Sequence, residues 1–269
     1  AIKKVIIIDT CAYLLQIPIL LYLVYTSTIN LNSILLALSL SAFLSQIIFY
    51  FVKDKTTQPF RLNQLPFKEN WIYARYLIST AVLQWFSGNL ILAASASIIG
   101  VGAVGIIRVL QNIMGILHVL FLALENVVPV KASFLLNNHG KKHLLTYFKK
   151  IALVTGSIYG IVLFSLKLFG TNLLHFLYGV EYVKYAYLLD LFIWVYILVF
   201  IGTLAQLLIK TLSLNFGILL AYILTVLTAL LLASPLLHNF GIKGVILGFG
   251  LLQIVSITVY FFTIKRAFI

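Results

Sequence analysis

Apolar residues gather in long runs along this chain, separated by short polar breaks. The runs cover residues 5–26, 31–52, 71–99, 101–128, 145–169, 182–209, 215–233 and 242–264. A helix needs about 20 apolar residues to cross the hydrocarbon core of a bilayer. A membrane β-strand needs only about 9–11 residues and alternates strictly between apolar and polar. These runs are longer and do not alternate, so the pattern predicts about eight transmembrane helices. Pro18 lies inside the first run and predicts a kink. Pro129 and Pro235 predict the ends of the fourth and seventh helices. Pro59 and Pro66 interrupt the 53–70 segment, which becomes the predicted internal boundary, with two spans before it and six after.

Composition turns this pattern into a class. The 269 residues are 62% hydrophobic and 9% charged, with mean hydropathy +1.11. A soluble domain is about 25% charged, because its surface must face water. The lone cysteine, Cys11, excludes a disulfide scaffold, and 20 Phe and 15 Tyr exclude a disordered chain. The first run continues too far, and is followed by too many others, for a cleaved signal peptide. The longest breaks, 53–70 and 130–144, are too short to hold a separate soluble domain. The expected fold class is therefore all-α, a polytopic transmembrane helical protein.

The net charge of +13 does not point to nucleic acid, because its basic residues sort by side. Threading the eight runs through a membrane puts 15 of the 19 Lys and Arg on the side that holds both ends of the chain. Lys167, Lys184 and Lys243 fall on the other side, and Arg108 falls inside a span. Cytoplasmic loops carry such an excess, so both ends are expected in the cytoplasm. A missed or false span would have scattered the charges.

Polar residues inside the runs carry the candidate chemistry, since intramembrane charge is costly to maintain. In the fourth run Arg108, Gln111, Gly115, His118, Leu122, Glu125 and Pro129 recur every three or four residues and form one helical stripe. Arg108 and Glu125 are about 25 Å apart along a helix, so they cannot pair with each other. One reading makes the stripe the wall of an aqueous cavity, where Arg108 and His118 meet phosphate or pyrophosphate; the guanidinium fork matches phosphate oxygens. The other makes it helix–helix contact with snorkelling ends. Gln84, Trp85, Ser87, Gly88 and Asn89 form a second polar patch in the third run, open to the same two readings. Glu125 pairs with a cytoplasmic lysine or gates the inner mouth. Asp190, on one face with Trp194, is a candidate for ion coupling by proton or sodium. Gly100, Gly102 and Gly105 predict a tight outer hairpin, not a dinucleotide motif. His139 and His143, beside Lys141 and Lys142, read as a solvated loop. There is no HExxH, CxxC, Walker loop or GxSxG motif, so neither an enzyme nor a bound metal or cofactor is expected.

The segment WIYARYLISTAVLQWFSGNLILAASASIIGVGAVGIIRVLQNIMGILHVLFLALENVVPVKAS, residues 71–133, resembles the second lobe of bacterial polysaccharide repeat-unit flippases. These belong to the exporter superfamily that also holds the multidrug extruders. A polar third-run segment leads into a G-x-x-A-x-G turn, here Gly100, Ala103 and Gly105, and the following helix ends near Pro129 and Ser133. The later FGTNLLHFLYGVEY, residues 169–182, is similar to the family's outer linker. The resemblance implies a fold of two six-helix lobes around a central cavity that rock for alternating access. It implies that 1–52 are the last two spans of a first lobe, 53–70 the interlobe loop and 71–269 a complete second lobe. The chain would then be part of a longer protein.

The implied function is flipping of polyprenyl-pyrophosphate-linked oligosaccharides across the bacterial inner membrane, for O-antigen, lipopolysaccharide or capsule synthesis. The implied partners are that lipid-linked glycan, membrane lipids, and the polysaccharide polymerase and glycosyltransferase machinery. Three alternatives stand beside it: a multidrug or other small-solute exporter, a membrane-embedded glycan polymerase or transferase, and a non-transporting scaffold. The polymerase would need acid pairs or basic groups on a large outer loop, which this sequence lacks.

Overall fold

The computed structural model describes the backbone of residues 2–26, 30–52 and 67–268. Side chains are described from residue 10 onward, except at 11, 12, 46, 48–52, 67–70, 72, 73 and 77 among these. The described chain is α1 (Ile2–Tyr25), α2 (Leu31–Val52), α3 (Phe67–Ile98), α4 (Val101–Tyr178), the short α5 (Val180–Val183), α6 (Ala186–Thr211), α7 (Asn215–Phe240) and α8 (Ile242–Phe268), with no strand among these residues. Five of these helices are long and apolar enough to cross a membrane, in α3, α4, α6, α7 and α8. The protein is an all-α, polytopic membrane protein.

The chain divides into two compact units, Ala1–Leu65 and Pro66–Ile269. In the first, α1 packs against α2. Asn30 and Ser33 cap α2 reciprocally: the Ser33 N–H donates to Asn30 Oδ1 at 2.7 Å, and the Asn30 N–H donates to Ser33 Oγ at 3.0 Å. Ala37, Ser41 and Ser45 are buried one helical turn apart, a ridge of small residues that lets the two helices approach closely.

In the second unit α4 is bent at Gly140 (φ 78°, ψ −177°) into two arms, 101–139 and 141–178. That backbone conformation is essentially closed to residues with a Cβ, so one glycine breaks the helix without a loop. The predicted loop at 130–144 is thus helix on both sides of one residue. Its polar side chains report water, and helical hydrogen bonds survive in water. Pro129 does not close the fourth helix and Pro235 does not end the seventh; both lie inside helices. With α4 read as two arms, each apolar run lies mainly on one helical segment; the 182–209 run begins in α5 and crosses a turn at 184–185 before α6.

Small residues recur at the closest helix contacts of the second unit, as expected where lipid provides no hydrophobic drive. On α7, Gly217, Ala221, Thr225, Ala229 and Ala233 are buried at four-residue intervals; Gly244, Gly248, Leu252, Ser256 and Tyr260 do the same on α8. The helix α7 lies against α3 and α8, and α6 lies against α8 and α4. Ile107, Leu110, Met114, Leu117, Phe121, Leu124 and Val128 give the first arm of α4 its core face. Several buried Ser and Thr hydroxyls donate to their own helices, as Ser95 Oγ to the Leu92 carbonyl at 2.8 Å and Thr211 Oγ1 to the Leu207 carbonyl at 2.8 Å. Among the described residues no buried side-chain polar atom lacks a partner. A membrane interior demands this, since water cannot supply one.

Short turns make successive helices antiparallel and define two ends of this unit. Gly100, Gly179 and Gly241 turn at one end. At the other lie the Gly140 elbow, the 212–214 turn and the last residues of α8. There the Lys141 ammonium donates to the Ala267 carbonyl and covers the Phe268 ring at 5.4 Å. A cation suits the negative end of a helix dipole.

Candidate functional site

The predicted stripe on the first arm is real as a face. While positions 107, 110, 114, 117, 121, 124 and 128 are buried, Arg108, His118, Leu122 and Glu125 are exposed, and Gln111, Gly115 and Pro129 are partly covered. The same 3.6-residue period that turns apolar side chains to the core turns these away from it.

Arg108 is held from two helices. Its Nη1 donates to Gln111 Oε1 at 3.1 Å, one turn along α4, and its Nη2 donates to Asn89 Oδ1 at 3.2 Å on α3. The Asn89 amide in turn donates to the Trp85 carbonyl at 2.8 Å. The third-run patch and the fourth-run stripe therefore form one network. These bonds are to neutral groups, so the charge of Arg108 is oriented but not neutralised by them. Trp85 itself is exposed and packs edge-on against Phe86, with ring centroids 5.3 Å apart.

Beside this network a cleft of about 350 Å³ opens among α3, α4, α6, α7 and α8. Gln84, Ser87, Gln111 and His118 line it, joined by Tyr196 and Gln253. His118 Nε2 and the Tyr196 hydroxyl share a hydrogen bond at 3.1 Å. The Tyr159 hydroxyl donates to the Tyr196 carbonyl at 2.8 Å, so the second arm of α4 braces the same residue. Tyr196 and Gln253 escape sequence reading. A tyrosine in a membrane helix is ordinarily a packing residue, and one glutamine in α8 with only Ser256 three residues on makes no extended polar stripe.

Glu125 lies two turns beyond His118 towards the elbow, where its Oε1 is 3.8 Å from Lys210 Nζ. The pair joins the first arm to the end of α6. Both side chains are 41% exposed, and exposed pairs contribute at most about 1 kcal/mol. It is a soft latch. Asp190 is elsewhere: it lines a separate cleft of about 420 Å³ between α6 and the second arm, with Trp194 and Lys167. Asp190 and Trp194 share a face, as their spacing predicts, but Asp190 does not join the Arg108 network. Among the described residues no group of three or more His, Cys, Asp or Glu is placed to hold a metal ion. His143 Nδ1 is 2.9 Å from the His139 carbonyl, and both side chains are exposed on the helical elbow.

The physical consequence is a mismatch with lipid. Arg108 sits about 10 Å along the helix from Val101, within the membrane-crossing part of the arm. Insertion scales put an arginine at a helix centre at a cost of about 2.5–3.5 kcal/mol, and Arg108, nearer the end of its span, costs less but is still unfavourable in hydrocarbon. A face carrying Arg108, Gln111, His118, Gln84 and Asn89 is better met by water, by polar ligand groups or by other protein. Comparison with protein-family models, with curated proteins and with solved structures finds no match to this chain.

Proposed function

We propose that this polar face is one wall of a translocation path for an anionic, lipid-linked sugar, and that the protein flips polyprenyl-pyrophosphate-linked oligosaccharide across a bacterial inner membrane. The observation that carries the reading is Arg108. Its charge is held in place by Gln111 and Asn89 on the exposed side of a membrane helix, and among the described residues no carboxylate is bonded to it.

The chemistry follows from that arrangement. A pyrophosphate–sugar head cannot enter hydrocarbon without losing its hydration. A guanidinium fixed by two amide oxygens keeps free N–H groups to replace part of that hydration with charge-assisted bonds. The amides of Gln84, Gln111 and Gln253 provide donors and acceptors suited to sugar hydroxyls. The polyprenyl tail stays in the bilayer. Loosening the Glu125–Lys210 latch would let the elbow end of the path open, and the basic elbow end faces the cytoplasm in this reading. The resemblance of residues 71–133 to the flippases points the same way, and it makes residues 71–269 a six-helix lobe that works with a second lobe.

The test is leaflet transfer in proteoliposomes with the whole protein that carries this chain. Arg108→Ala should reduce transfer of a polyprenyl-pyrophosphate-linked glycan at least about tenfold, while membrane insertion stays normal. Arg108→Lys should retain part of it, since an ammonium keeps charge but lacks the fork. Unchanged transfer by Arg108→Ala would refute the headgroup role.

A further inference from the structure

A second feature of α4 lies away from the Arg108 face and does not depend on the transport reading. Between the two arms runs a groove of about 530 Å³. Its floor is a set of aromatic rings from both arms and α6: Phe121 and Tyr159 have centroids 5.4 Å apart, and Tyr159 stacks on Phe200 at 4.8 Å. Its rims, Val127 on one arm and Val154 and Ile158 on the other, are exposed.

The groove has a head and a tail. The arms are antiparallel, so Lys131 of the first and Tyr147 and Lys150 of the second meet at its elbow end. The Lys131 ammonium lies over the Tyr147 ring, 5.5 Å from its centroid. From there to Leu120 the lining is almost wholly apolar, Thr155 apart, over about 16 Å of helix, and no carboxylate is among the described residues that line it. Position along the helices fixes its depth. Lys131 is about 45 Å from Val101, and Lys150 about 42 Å from Tyr178, at the helical rise. A bilayer with its headgroups is about 40–45 Å thick. Both lysines therefore stand at one headgroup plane, with the apolar groove running from them into the hydrocarbon. The polar residues from 137 to 149 lie beyond that plane, in the water.

We infer that this groove binds an anionic glycerophospholipid of the leaflet at the elbow end, with its phosphate between Lys131 and Lys150 and one acyl chain along the Val127–Val154 rims. Charge and shape select it together. Two cations with no acid beside them among the described residues call for an anion, and the apolar slot below calls for a chain attached to that anion. A zwitterionic lipid would bring its own cation to the lysines.

Native mass spectrometry on the full chain tests this. The protein is reconstituted in nanodiscs of equimolar dioleoylphosphatidylglycerol and dioleoylphosphatidylcholine, extracted into mild detergent, and its retained lipids are counted. The wild type should retain phosphatidylglycerol in preference, by about fivefold per lysine. Lys131→Ala with Lys150→Ala should abolish the preference, and Lys131→Arg with Lys150→Arg should preserve it. Lys142→Ala with Lys149→Ala, on the same elbow but outside the groove lining, should leave it unchanged. Ala123→Trp, which fills the slot, should lower retention of both lipids. Equal retention of the two lipids by wild type would overturn the inference. So would a preference that survives loss of Lys131 and Lys150, or one lost equally with Lys142 and Lys149.

Discussion

Arg108 was legible in the sequence because a guanidinium inside an apolar run has few bland explanations, and Gln111 followed from its spacing. Asn89 was legible as a polar residue but not as the partner of Arg108, since nothing in a linear pattern says which faces of two helices meet. His118 shows the converse. Its place on the stripe was readable, yet its bond to Tyr196 joins residues far apart in sequence, on helices whose contact only the fold reveals. That bond makes a prediction at the scale of single residues. In a double-mutant cycle of His118→Phe and Tyr196→Phe, unfolding in lipid–detergent mixtures should give a coupling energy of about 0.6 kcal/mol, within the usual range for membrane hydrogen bonds. Additive losses would mean that the two side chains do not support each other. The Glu125–Lys210 contact, longer and more exposed, should couple more weakly.

At the scale of elements, the apolar runs located the helices but not all their ends. A run marks where hydrocarbon is, whereas a helix stops where the backbone can no longer continue. The first arm of α4 therefore passes Pro129 and the mixed 130–139 stretch and stops only at Gly140. The four-residue ridges on α7 and α8 were present in the sequence, mostly small on α7 and led by Gly244 and Gly248 on α8. They stand out only once burial separates them from the other small residues of an apolar chain. Gly244 is their tightest point: a Cβ there would lie 2.2 Å from the Leu236 carbonyl oxygen. Backbone cannot rotate away as a side-chain tip can. Gly244→Ala should therefore force α8 off α7 and destabilise the protein by about 1–3 kcal/mol, the usual cost of overpacking. Gly160→Ala, where a Cβ would meet nothing within 4 Å, should cost nothing and add some helix propensity. Equal effects of the two in a thermal unfolding assay would contradict the ridge packing.

For the whole molecule, the main result is an asymmetry among membrane-crossing faces. Those bearing Leu231, Phe261 and Ile161 are exposed and apolar, as lipid requires. The face shared by α3 and the first arm of α4 is exposed and polar around Arg108. Composition alone identified the membrane, and the placement of lysines identified the basic end. What faces the polar side was beyond the sequence, because helical periodicity separates core from surface but does not separate a surface in lipid from one in water.

To act as proposed, the polar face must be wet and able to meet a pyrophosphate. Cysteine accessibility tests this most directly. With Cys11 replaced by serine, Ser87→Cys in the cleft should react with a membrane-impermeant thiol reagent, whereas Leu231→Cys on an apolar face should not. Added polyprenyl pyrophosphate should slow the Ser87→Cys reaction. A cysteine at position 87 that is as unreactive as one at 231, or whose labelling the pyrophosphate lipid leaves unchanged, would contradict the account.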